Sequence, residues 1–124
     1  MSTLRTLLFV ALGGSLGAIS RYLVSLGARN LWGESFPLGT LLVNVIGCLL
    51  IGILAGIGMD QLSPPLQKFM VVGLLGSLTT FSTFGLDTLE LFQRQPLLAL
   101  GNIAANVLIG LAAVAAGYWL TVRG

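Results

Sequence analysis

Histidine is missing from the chain, cysteine occurs once, and only six basic and four acidic side chains are spread over 124 residues. Each shortage excludes something. Without imidazole there is no side chain that ordinarily exchanges a proton near neutral pH and no usual transition-metal ligand. A single cysteine, Cys48, permits neither an internal disulfide nor a thiolate metal set, and reads as a small buried apolar residue. No nucleophile stands beside a base, so an enzyme is the least favoured class. Charged residues make up 8% of the chain, against roughly 25% in soluble domains. The basic residues form no cluster of the kind that binds nucleic acid or anionic lipid.

Apolar residues fill the remainder. At 56% hydrophobic and a mean hydropathy of +0.99, the chain reads as a single integral membrane domain over residues 1–124. Uncharged runs cover 6–20, 35–59, 69–86 and 95–122, and a helical span needs roughly 20 mostly apolar residues. The spacing predicts an all-α protein of four transmembrane helices at about 4–26, 38–59, 68–92 and 96–122. Arg5 before an apolar run resembles a signal peptide, but no small-x-small site followed by a polar chain comes after it, so the segment is read as helix 1.

Helix 1 carries Gly13 and Gly17 four residues apart, a spacing that lets helix backbones approach closely. Arg21 follows one turn later, and a charge at that depth marks an ion path or snorkels to the headgroups as a vestibule or anchoring residue. The connector 24–36 holds Trp32, Gly33 and Glu34 and reads as interfacial. Helix 2 has one notable polar residue, Asn44, either interhelical glue or a ligand-facing donor, and a second small-residue pair in Gly52 and Gly56. On helix 4, Asn102, Asn106 and Gly110 fall at i, i+4 and i+8, one polar stripe on one face. Interhelical hydrogen bonds account for either asparagine alone; two in register favour a pathway.

Helix 3 holds the most informative stretch, Gly73-Leu-Leu-Gly-Ser-Leu-Thr-Thr-Phe-Ser-Thr-Phe84. Glycines followed by crowded hydroxyls predict a break in the helix. Within a bilayer, non-helical backbone persists only when it is buried in protein or lines a polar site. Thr79, Thr80, Ser82 and Thr83 offer hydroxyl donors. Phe81 and Phe84, three apart, share a face of the resumed helix, where they fill the span as ordinary apolar residues or turn ring edges toward an anion.

Charge bears on assembly. Four spans put Arg5, Lys68 and Arg123 on one side and Arg21, Arg29 and Arg94 on the other, which leaves no positive-inside bias. A chain with no preferred orientation is able to form an antiparallel, dual-topology homodimer, doing with two copies what inverted repeats do in one.

Taken together, Gly13-Gly14-x-x-Gly17-Ala18-x-x-Arg21-Tyr22, Pro37-x-Gly39-Thr40-Leu41-x-Val43-Asn44-x-x-Gly47 and Gly76-x-x-Thr79-Thr80-Phe81-Ser82-Thr83-Phe84 resemble the Fluc (CrcB-type) fluoride channels over nearly the whole chain. The resemblance implies an antiparallel dimer with two pores of opposite orientation, passively exporting fluoride across the plasma membrane of a prokaryote. It implies that Phe81 and Phe84 match the family's phenylalanine box, Asn44 its pore-facing asparagine, and Ser82 and Thr83 its hydroxyl donors. It also implies a structural Na+ at the dimer centre, held by the backbone carbonyls of Gly76 and Thr79. Asn102 and Asn106 occupy the helix-4 track, where family members vary. The rival reading is a proton-coupled small multidrug-type exporter, which needs a deep carboxylate; Asp87 and Glu90 lie only near the end of helix 3.

Overall fold

A computed structural model describes residues 2–122, and every structured element is helical. Arg123, counted in the charge balance, lies outside the described residues. Four helices are long and apolar enough to cross a membrane: α1 (Thr3–Trp32), α2 (Leu38–Ile57), α3 (Pro64–Arg94) and α4 (Pro96–Val122). The chain is a multi-pass membrane protein.

The helix ends follow from local chemistry. Ser2 caps α1 by accepting the Arg5 amide at 3.2 Å. Gly33 and Gly58 close α1 and α2 with φ of 80° and 109°, values that L side chains adopt only with strain. Pro64 and Pro96 open α3 and α4 in the first turn, where a missing amide hydrogen is harmless. The connector 24–36 differs from its sequence reading: α1 continues through it to Trp32, because no residue that stops a helix occurs before Gly33. By the same logic α3 starts at Pro64 rather than Lys68.

Glycine sets the packing. A Cβ on Gly13 or Gly17 would strike the Phe69 or Leu74 carbonyl of α3, and one on Gly73 would meet the Val10 carbonyl at 2.7 Å. The backbones of α1 and α3 therefore touch along this seam. A second seam joins α2 to α4, where Gly52 faces the Val114 carbonyl, Gly117 faces the Leu49 carbonyl, and Gly56 faces Thr121 and Tyr118. Such seams gain van der Waals contact where lipid offers no hydrophobic drive. Between them lies a small core of Val43, Leu75 and Leu78, flanked by Val24, Leu50, Ile51 and Leu54. Large apolar side chains outside it, from Leu4 to Leu120, stay exposed on the single chain.

Within α3, π-helical turns at Lys68–Leu75 lead to a short α segment at Gly76–Leu78. Thr79 (φ −83°, ψ 155°) and Thr80 (φ −150°, ψ 122°) are extended, and helix resumes at Phe81–Arg94. Residues 64–78 are called the first arm and Phe81–Arg94 the second. A further π turn, Ala105–Ile109, lies in α4 beside Asn106.

Candidate functional site

The extended pair is held by a side chain from another helix. Asn44 of α2 accepts the Thr80 amide on Oδ1 at 2.8 Å and returns Nδ2 to the Thr80 carbonyl at 3.2 Å. One carboxamide thus replaces the helical partners that an extended residue gives up, as buried backbone polar groups require. Gly47, one turn further along α2, admits the Thr79 methyl group, which a Cβ there would displace. Thr80 then caps the second arm, its Oγ1 accepting the Thr83 amide at 3.2 Å.

These exchanges bear on two carbonyls. In an unbroken α-helix the Gly76 carbonyl would accept from Thr80 and the Thr79 carbonyl from Thr83. Both amides are directed elsewhere, to Asn44 Oδ1 and Thr80 Oγ1. Gly76 is also exposed on the single chain.

From Asn44 the hydrogen bonds run on through α4. Its Nδ2 donates to Asn106 Oδ1 at 3.0 Å, and Asn106 Nδ2 donates to the Asn102 carbonyl and Oδ1 at 2.9 and 3.1 Å. Asn102 Nδ2 donates to Thr88 Oγ1 at 3.0 Å, and that hydroxyl donates to the Phe84 carbonyl at 2.7 Å. Main-chain groups fix the direction: the Thr80 amide only donates, while the Asn102 and Phe84 carbonyls only accept. Each carboxamide therefore has one orientation consistent with the chain of bonds.

A groove of about 460 Å³ opens beside this network, lined by Asn44, Asn106, Gly76, Thr79, Thr80, Phe81 and Phe84, with Gly47, Cys48 and several aliphatic residues completing the wall. The Phe81 and Phe84 rings stand 5.6 Å apart, tilted by 51°. Phe81 is 83% exposed, so the groove lies open on one side of the single chain. Its polar groups are all neutral. A second cavity of about 720 Å³ sits at the end of the bundle, lined among others by Thr40, Thr83, Asp87, Arg29, Glu34 and Arg94. There Thr40 Oγ1 donates to Asp87 Oδ2 at 2.9 Å, and Arg29 pairs with Glu34 at 3.1 Å on the exposed surface.

The structure gathers Asn44, Asn106, Phe81, Phe84, Gly76 and Thr79 in the first groove and puts Thr83 in the second cavity. Ser82 is exposed in the first turn of the second arm, with its Oγ 3.4 Å from Thr80 Oγ1. Asn102 is fully buried behind Asn106. Arg21 lines neither space, and its Nε is buried with no hydrogen-bond partner. Sequence reasoning gave no role of their own to Thr40 and Thr88, whose side-chain partners lie 47 and 14 residues away. Thr88 had one local signal, its place four residues after Phe84.

Comparison with known proteins fits this geometry. The family model described as "CrcB-like protein, Camphor Resistance (CrcB)" matches residues 8–118. A Shewanella loihica protein named fluoride-specific ion channel FluC is 49% identical over 119 residues, covering 94% of this chain and 96% of the relative. Proteins of the same name from Shewanella sediminis and Shewanella woodyi are 51% and 50% identical over 106 residues, covering 84% of this chain and 86% of each relative.

Proposed function

The chain belongs to the CrcB family, and from that premise we propose that it is a fluoride-selective channel that lets F− leave the cytoplasm passively across the plasma membrane of a bacterium. The observation that carries this reading is the first groove, where the neutral carboxamides of Asn44 and Asn106 and the rings of Phe81 and Phe84 line one space beside extended backbone. Fluoride is small and holds water strongly, so a path for it must replace hydration with short-range donors and still release the ion. In this reading the amides of Asn44 and Asn106, by exchanging their bonds within the network, and the hydroxyls of Ser82 and Thr83 outside the groove supply donors without a full charge, which keeps binding weak enough for passage. Phe81 and Phe84 contribute positive ring edges. In this reading the second cavity is the mouth, Thr83 stands between mouth and groove, and Arg21, which lines neither space, anchors α1.

A groove open on one side cannot conduct alone. We assign its missing wall to a second copy in antiparallel orientation, giving two oppositely directed paths; the even split of basic residues and the exposed Phe81 support this. Thr79 and Thr80 are extended, the helical donors of the Gly76 and Thr79 carbonyls are directed elsewhere, and both Gly76 and Thr79 line the groove. Hard carbonyl oxygens suit a hard monovalent cation, so these residues fit a structural Na+ at the dimer centre. Such an ion would tie the two copies together by charge. The proton-coupled exporter reading is not favoured, because the first groove contains no carboxylate.

The test is fluoride efflux from liposomes holding the purified protein, with K+ and valinomycin carrying the counter-charge and chloride as the control anion. Rapid valinomycin-dependent F− release with little chloride leak, lost in Phe81→Ile, is the expected result. Release no faster than from empty liposomes, with well-folded protein, would refute the channel.

A further inference from the structure

The position of Asn102 is unusual for a polar residue in a membrane helix. None of its surface is exposed, and Thr88, its partner, is only 8% exposed. Neither residue lines the groove or the second cavity. A carboxamide withdrawn from water in this way is tolerated only if its polar atoms are matched, and both ends of Asn102 are. Nδ2 donates to Thr88 Oγ1, and Oδ1 accepts from Asn106 Nδ2. Thr88 in turn donates to the Phe84 carbonyl. The pair therefore links two residues that line the groove, Asn106 on α4 and Phe84 on α3, through bonds whose direction is fixed.

We propose that Asn102 and Thr88 are a positioning pair, which sets the register of Asn106 against the turn carrying Phe84 without touching the ion. This rests on the channel reading and goes beyond it: the buried end of the helix-4 stripe aims the donor and does not belong to the path. The linkage also explains how a carboxamide with no access to the groove belongs to the same stripe as one that lines it. The pair joins α3 and α4 where the two helices also bury Leu91 and Ala99, so the polar link sits in firm packing and transmits small displacements rather than absorbing them.

Thr88→Val keeps the side chain's shape and deletes the hydroxyl, and Thr88→Ser restores the hydroxyl. In liposomes, Thr88→Val, which removes the bonds to both Asn102 and the Phe84 carbonyl, is expected to lower the fluoride efflux rate about tenfold or more. Thr88→Ser should stay within about twofold of the unmodified protein on the same scale. Asn102→Leu combined with Thr88→Val should be no slower than Asn102→Leu alone, because residues acting through one link are non-additive. The side-chain amide resonance of Asn106 in micelles should move in Thr88→Val and return in Thr88→Ser. Thr88→Ala takes the place of valine if the valine variant is not monodisperse. Unchanged efflux and an unmoved Asn106 resonance in the hydroxyl-less variant overturn the proposal, as does simple additivity in the double variant. If the unmodified protein passes no fluoride, the channel reading falls, and the Asn106 resonance alone then decides whether the pair positions that amide.

Discussion

Asn44 in α2 and Asn106 in α4 meet head to tail, the amide of the first donating to the carboxamide oxygen of the second at 3.0 Å. A carboxamide nitrogen has two hydrogens, and the other hydrogen of Asn44 goes to the Thr80 carbonyl. In the chain alone, then, Asn44 has no donor free for a ligand. An anion that takes an N–H from it must exchange with Asn106 or with Thr80, so ion contact and the shape of the α3 backbone are coupled at this residue.

That coupling predicts the effect of Asn44→Ala. The substitution leaves the Thr80 amide and carbonyl without their partner, and removing one partner from a buried polar group costs about 1–3 kcal/mol. We expect a lower thermal midpoint in detergent together with loss of fluoride efflux. Unaltered efflux would mean that the Asn44–Thr80 pairing is irrelevant to conduction.

Gly47→Ala tests the steric side of the same feature. Its Cβ would occupy the space of Thr79 Cγ2, and overpacking of this kind costs about 1–3 kcal/mol. Thr79→Ser removes that methyl and keeps the hydroxyl that donates to the Leu75 carbonyl at 3.0 Å. The double variant should recover to within about 0.5 kcal/mol of the unmodified protein in a chemical or thermal unfolding series. Failure to recover would show that Gly47 has a role other than making room for Thr79.

The glycine seams give a contrast between positions. Gly52→Ala places a methyl against the Val114 backbone carbonyl, which cannot rotate away, whereas Gly27 has nothing within 4 Å of an added Cβ. Gly52→Ala should therefore part α2 from α4 and lower stability by about 1–3 kcal/mol or more. Gly27→Ala should be neutral or stabilising by up to about 1 kcal/mol, since alanine is the better helix former. Equal behaviour of the two in unfolding would contradict the seam.

Sodium dependence tests the proposed Na+ site at Gly76 and Thr79. With Na+ about 100-fold above its dissociation constant, a site present only in the folded dimer adds about 2.7 kcal/mol. Replacing Na+ by N-methylglucamine at constant ionic strength should lower the thermal midpoint and the dimer fraction, and returning Na+ should restore both. Identical curves in the two salts would remove Na+ from the account.

The four spans were legible in the sequence because charge marks their limits. Glu34 follows the end of α1, Asp60 follows the end of α2, and Lys68 stands one turn into α3. Helix ends were less legible where composition and backbone chemistry disagree: the connector 24–36 reads as interfacial from Trp32, Gly33 and Glu34, yet α1 runs on to Trp32 and ends only at Gly33. At the site, Asn102 and Asn106 share a stripe by simple periodicity, which gives proximity but not accessibility. Their different fates, one buried and one lining the groove, depend on Thr88 and on the second arm of α3. The pairing of Asn44 with Thr80 spans 36 residues and follows from tertiary packing, which local patterns do not encode.

The length of α1 has a consequence for the lipid around it. Thirty residues at 1.5 Å each make a rod of about 45 Å, half as long again as a hydrocarbon core of about 30 Å. Gly13 and Gly17 pin the first part of this rod against α3, so its lean is set by protein contacts and the surplus emerges at the Trp32 end. The indole and the Arg29–Glu34 pair at that end have the chemistry of an interfacial anchor, so a thicker or thinner bilayer is expected to shift the depth of that overhang before it disturbs the site.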